Sequence, residues 1–133
     1  MQTVAKSFAD DSDEELVTYY LDWTQDAIQE LAGLVAQVTQ TPSPETTQQI
    51  YEITHNIKGM GTSFGFPLMT EAGRSLCYYL RQRGDGPLDS AVLEAHLKSF
   101  RLILAKRMIA DGGQMGRDLV DRLNQLVEHM LAA

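Results

Sequence analysis

Apolar residues recur at spacings of three and four along five stretches of the chain, and segments rich in Gly, Pro and polar residues separate them. That is the period of a helix with one buried stripe. In the first stretch the stripe is Leu16, Tyr20, Trp23, Ala27, Leu31, Leu34 and Val38. Ser12 with Glu15 fits a capping box, so the helix is predicted to start at Ser12, and it ends at TQTPSP. Ser43 followed by Pro44 supplies the next N-cap and first helical position. The second stripe is Ile50, Ile53, Ile57, Met60 and Phe64, stopped by Gly65; Pro67 opens a third helix with Leu68, Ala72, Leu76, Tyr79 and Leu80 inside. After the turn RGDGP, a fourth helix is predicted from about Asp89, with Leu93, Leu97, Phe100, Leu104 and Met108 inside. DGGQMG breaks it, and RDLVDRLNQLVEHML forms a fifth, with Leu119, Leu123, Leu126 and Met130 on one side. No stretch alternates with the period of a strand. The expected fold is all-α: an up-and-down antiparallel four-helix bundle with an additional C-terminal helix. The expected domain spans 12–133, behind a flexible acidic N-terminus at 1–11.

Composition narrows the setting. The 133 residues suit one domain, and 44% hydrophobic with 22% charged residues is the balance of a soluble globule. A single cysteine, Cys77, allows no internal disulfide and reads as a small packing residue. No apolar run is long enough for a membrane span and no signal core follows Met1, so the expected location is cytoplasmic, away from the membrane. The net charge of −7 argues against a nucleic-acid partner, which would demand a cationic face. Asp10, Asp11, Asp13, Glu14 and Glu15 are expected to be a solvated helix start.

The chemistry concentrates in THNIKGMGTSFGF, residues 54–66. Glycine costs about 1 kcal/mol inside a helix relative to alanine, so two glycines beside a histidine call for a reason. At 100° per residue, Ile50, Ile53, Ile57, Met60 and Phe64 gather within about 60° of one another, and His55 falls opposite them. Gln48, Tyr51, Glu52, Gly59 and Thr62 share the outer face, while Lys58 lies between it and the core edge. Gly61 falls inward, where a missing side chain lets a neighbouring helix approach. Gly59 falls outward, one turn beyond His55, and clears space beside the ring. An exposed imidazole is a nucleophile near neutral pH. Phosphoryl transfer to it needs positioning and neutralised charge more than covalent machinery. An open ring, a nearby ammonium and a flat approach suit a transient phosphoryl carrier.

At these residues the chain resembles the histidine-containing phosphotransfer (HPt) domains. The family pattern, His-x-hydrophobic-Lys-Gly-small-small-x-x-aromatic/aliphatic-Gly, is met by His55, Ile57, Lys58, Gly59, Gly61, Phe64 and Gly65, with Met60 departing from the usual small residue. The likeness is strong over 48–83 and architectural elsewhere. It implies that His55 accepts a phosphoryl group on Nε2, that Lys58 steadies the phosphate and that Gly59 admits the partner. The partners implied are a response-regulator receiver domain and a sensor histidine kinase. Mg²⁺ would belong to the receiver, and this chain would hold no cofactor or metal. Gln48, Tyr51, Glu52 and Thr62, with Phe66, are candidates for the docking surface, and Arg74 and Arg81 for attracting an acidic receiver pocket. No glycine-rich nucleotide loop is present, so ATP-dependent catalysis of its own is not expected. A monomer is expected.

Plainer readings stand beside this one. Glu52 and His55 form a Glu-x-x-His pair, but a di-iron bundle needs a second such pair, all pointing inward, and the sequence has none. A sensor-kinase dimerisation domain usually has an acidic residue after its histidine, where this chain has Asn56. His96 is expected at the edge of the fourth helix's apolar face and His129 on the polar side of the fifth. Trp23, Tyr19 and Tyr20 are expected in the core or at its edge. The competing functions are an interaction module that binds a receiver without carrying phosphate, and a structural helical protein.

Overall fold

The computed structural model describes residues 2–109 and 112–132, with side chains from Glu14 onward. Its helices are α1 (Gln2–Gln40), α2 (Pro44–Gly61), a 3₁₀ turn (Thr62–Phe64), α3 (Pro67–Gln82), α4 (Ser90–Ala105) and α5 (Gly113–Ala132). Among the described residues no strand occurs. Helices α1 to α4 close a ring of neighbours: α1 packs on α2 and α4, and α3 packs on α2 and α4. The fifth helix lies against α3 and α4.

Local chemistry sets most of the boundaries. Ser43 Oγ accepts from the Thr46 amide at 3.2 Å, with Pro44 in the first turn of α2. Asp89 caps α4 by accepting from the Ala91 and Val92 amides at 2.8 and 3.3 Å. Gly65 ends the 3₁₀ turn at φ 88°, a left-handed conformation that favours glycine, and Pro67 opens α3 two residues on.

The ends of α1, α4 and α5 depart from the sequence expectation. The first helix reaches back to Gln2 instead of starting at Ser12. Residues 2–11 contain no Gly or Pro to stop it. Ser12 lies inside this helix and so is not its N-cap, and the side chains of Asp10, Asp11, Ser12 and Asp13 lie outside those described. The fourth helix ends at Ala105, before Met108, although Met108 remains buried. Arg107 adopts a positive φ of 47° there and turns the chain. The fifth helix begins at Gly113, inside the expected break, because Gly112 and Gly113 at φ 68° and 65° make the turn by themselves.

The stripe on α1 is also rotated. Leu16 is 50% and Tyr19 61% exposed, and Trp23, Ala27 and Leu34 are half-buried. The core row is Tyr20, Leu21, Thr24, Ile28, Leu31, Val35 and Val38. Two overlapping apolar rows run along this helix, and its contacts with α2 and α4 select one. On α3 and α4 every expected inner residue is buried. In the fifth helix Leu123 is buried as expected, Leu119, Leu126 and Met130 are half-buried, and Val127 and Gly116 complete the inner face.

Candidate functional site

The site is a stretch of α2 backed by α3. Ile50 and Ile57 are fully buried and Ile53 half-buried, so the helix is held by one face and His55 emerges exposed on the other. Immediately before it, buried Thr54 donates its hydroxyl to Ile50 O at 2.7 Å, which satisfies a polar group inside the bundle. Among the described residues neither nitrogen of His55 has a hydrogen-bond partner. Its ring pairs with that of Tyr51, the two lying 6.2 Å apart between centroids with planes 18° apart.

The two glycines divide as expected. A Cβ at Gly59 would meet no neighbouring atom within 4 Å, so the turn beyond His55 is open. At Gly61 a Cβ would come within 2.7 Å of Phe66 O and of Thr70 Oγ1. Gly61 is there to let α3 start against α2.

A third glycine, on α3, escaped the sequence reading. A Cβ at Gly73 would lie 2.9 Å from Lys58 Cβ and 3.1 Å from Lys58 Cα. The α3 backbone therefore closes directly on Lys58 and fixes the base of its side chain. Thr70 adds a second tie: its Oγ1 donates to Lys58 O at 2.8 Å and accepts from the Thr62 amide at 2.9 Å. Lys58 is half-buried. The available signal was the cost of a glycine in mid-helix, which the pattern of α3 gave no way to explain.

Two cations, Lys58 and Arg81, stand near Cys77 on α3. Burial pushes the Cys77 thiol up, while Lys58 and Arg81 are both near enough to pull it down. Cys77 is buried, in keeping with a packing role. Arg74 instead pairs with Glu71 at 2.9 Å on the surface, a contact of small energetic value. Of the other candidates, Gln48, Glu52 and Thr62 are exposed and Tyr51 is half-buried, whereas Phe66 is in the core and unavailable for docking. Phe66 stacks on Tyr20 with centroids 5.4 Å apart. Gln48 and Tyr51 also line a groove of about 900 Å³ that extends to Arg81 and Arg83. The remaining member of the α2 set, Glu52, is exposed beside His55, and among the described residues no three His, Cys, Asp or Glu side chains gather as metal ligands.

His96 differs from its expected place at the edge of α4. It is fully buried, 2.7 Å from Val92 O through Nδ1 and 2.9 Å from Ser75 Oγ through Nε2. Since a carbonyl can only accept, Nδ1–H donates to Val92 and the Ser75 hydroxyl donates to Nε2. Burial lowers its pKa from 6.5 to about 4. His129 is exposed, as expected.

No helix among the described residues is long and apolar enough to cross a membrane. No curated protein and no solved structure gives a significant match to the chain. The family description of the Hpt domain, however, matches residues 15–133, which takes in all of α2 to α5. With that match added to the exposed histidine and its lysine–glycine neighbours, the chain belongs to the Hpt domain family, the phosphocarrier modules of two-component signalling that work with receiver domains and kinases.

Proposed function

We propose that this protein is a histidine phosphotransfer intermediate of a phosphorelay, carrying a phosphoryl group on His55 to or from the aspartate of a response-regulator receiver domain. The observation that carries this reading is the exposed, unbonded His55 ring with open space at Gly59 on the next turn. In the accepting step the Nε2 lone pair attacks the phosphorus of the receiver's aspartyl phosphate. A P–N bond forms, the P–O bond to the aspartate breaks with its electrons returning to the carboxylate, and the imidazole proton stays on Nδ1. The reverse step loads a receiver. Lys58, anchored at its base by Gly73 and Thr70, offers its ammonium to the phosphoryl oxygens. Gly59 admits the partner, and Gln48, Tyr51, Glu52 and Thr62 border the approach.

The catalytic metal in this scheme is the receiver's Mg²⁺, and a sensor histidine kinase supplies the phosphoryl group from ATP, so this chain contributes no cofactor and no ATP chemistry. We read α1 from Ser12 onward, with α2 to α4, as an up-and-down antiparallel bundle within a 12–133 domain, with α5 as the additional helix, acting as a cytoplasmic monomer.

The test is transfer from a phosphorylated receiver, or from phosphoramidate as a small donor. Label on this chain should be acid-labile and base-stable, as a phosphoramidate bond is. It should disappear in His55→Gln with the helical circular dichroism unchanged. Label retained in that variant would exclude the site, and no label from several receivers or from phosphoramidate would leave an interaction module that binds without carrying phosphate.

A further inference from the structure

The structure assigns Tyr51 a role that rests on the phosphotransfer reading of His55: we propose that it is the positioning residue for the imidazole. A nucleophilic nitrogen attacks along its lone pair, which lies in the plane of the ring. Fixing that plane fixes the line of attack. An exposed histidine on a helix has two free torsions and, here, no hydrogen bond to either nitrogen among the described residues to hold them. The ring contact that restrains it is the near-parallel stack on Tyr51, at 6.2 Å and 18°.

Tyr51 is suited to that task because it is itself held. It lies one turn before His55, on the side toward which helical side chains lean. It is half-buried, packed on the core and set into the wall of the groove at the α1–α2 and α3–α4 connections. The stack therefore passes the rigidity of the bundle to a ring that otherwise stands in solvent. It also makes the two sides of His55 unequal. Tyr51 stands beside the ring on the preceding turn, while a Cβ at Gly59, on the following turn, would meet nothing within 4 Å. An incoming aspartyl phosphate is steered to the Gly59 side, where Lys58 is also found.

The test uses wild type, Tyr51→Phe and Tyr51→Leu of the full chain. In NMR spectra of the free protein, the His55 ring protons should show the same upfield ring-current shift in wild type and Y51F, and lose it in Y51L. In transfer from a phosphorylated receiver, Y51F should keep the wild-type maximal rate. Y51L should lower the maximal rate about two- to tenfold, the span that an aromatic stack of this kind covers, at an unchanged half-saturating receiver concentration. Three results would overturn the role: equal His55 shifts in all three proteins, an unchanged maximal rate in Y51L, or a Y51L defect confined to the half-saturating concentration, which would make Tyr51 a docking contact. Phosphoramidate separates the two levels of the argument. Wild type unlabelled by it removes the phosphotransfer reading and this role with it; wild type labelled, with Y51L indistinguishable in receiver transfer, removes the role alone.

Discussion

Two histidines, on helices that both pack against α3, show how far the surroundings decide what a side chain can do. His96 has no exposed surface, and each of its nitrogens is engaged, one by Val92 O and one by Ser75. Its charge is suppressed by burial, its lone pair is already accepting a hydrogen bond, and nothing outside can reach it. His55 is exposed, with neither nitrogen bonded among the described residues, the Tyr51 ring beside it and clear space at Gly59. One is a strut between α3 and α4; the other stands open to solvent. The contrast shows that the useful property of His55 is what surrounds it, and the following changes would break or sharpen the contrast.

The largest effect is expected at His55. His55→Gln should abolish phosphoryl label while the unfolding midpoint stays unchanged, whereas His96→Gln should retain the label and lose stability; phosphotransfer assays and denaturant titration read both. Next is Gly59→Leu. A side chain there fills the open turn, so receiver-dependent transfer should slow on the order of a hundredfold. The unfolding free energy should hold or rise by up to about 1 kcal/mol, because leucine is the better helix former. A large destabilisation would place Gly59 against a neighbour and contradict its open position.

The pH dependence of stability singles out His96. Its folded pKa is depressed from 6.5 to about 4, so the unfolded chain takes up a proton that the folded chain refuses. The stabilisation is complete above about pH 6.5 and is lost as the pH falls toward 4, on the order of 3 kcal/mol in all. Denaturant titrations from pH 7.5 to 4 should show that decline, and His96→Gln should remove its share. A smaller change is Gly73→Ala, predicted to cost about 1–3 kcal/mol through overpacking against Lys58. That variant should also slow transfer, because the helix carrying Lys58 must move aside. A stable Gly73→Ala with normal transfer would show that the close approach of α3 does not hold the lysine.

The features that were legible early are those fixed by neighbours in sequence. Ser43–Pro44, Gly65–Pro67 and Asp89 act within a few residues, so the starts of α2, α3 and α4 and the stop at Gly65 follow from reading them. The outward direction of His55 and the opposed directions of Gly59 and Gly61 follow from the 100° turn of one helix whose buried row was unambiguous. The spacing of His55, Lys58 and Gly59 is likewise a one-dimensional pattern.

Other features depended on which helix came to lie beside which. The first helix has apolar residues on two overlapping rows, and only its seating against α2 and α4 buries Ile28 and Val35 while leaving Leu16 exposed. His96 is read as a boundary residue until Ser75, on another helix, is seen to receive it. Gly73 has no local reason to exist; its reason is Lys58, on the helix next to it. The Tyr51–His55 stack required the groove that holds the tyrosine in place. The sequence by itself thus determined the run of helices and which histidine on α2 faces outward, because caps, breakers and helical period act within a few residues of one another. Only the tertiary structure decided which rows are buried, which histidine is locked and what walls the groove beside Tyr51, because each of those is settled by atoms distant in the chain.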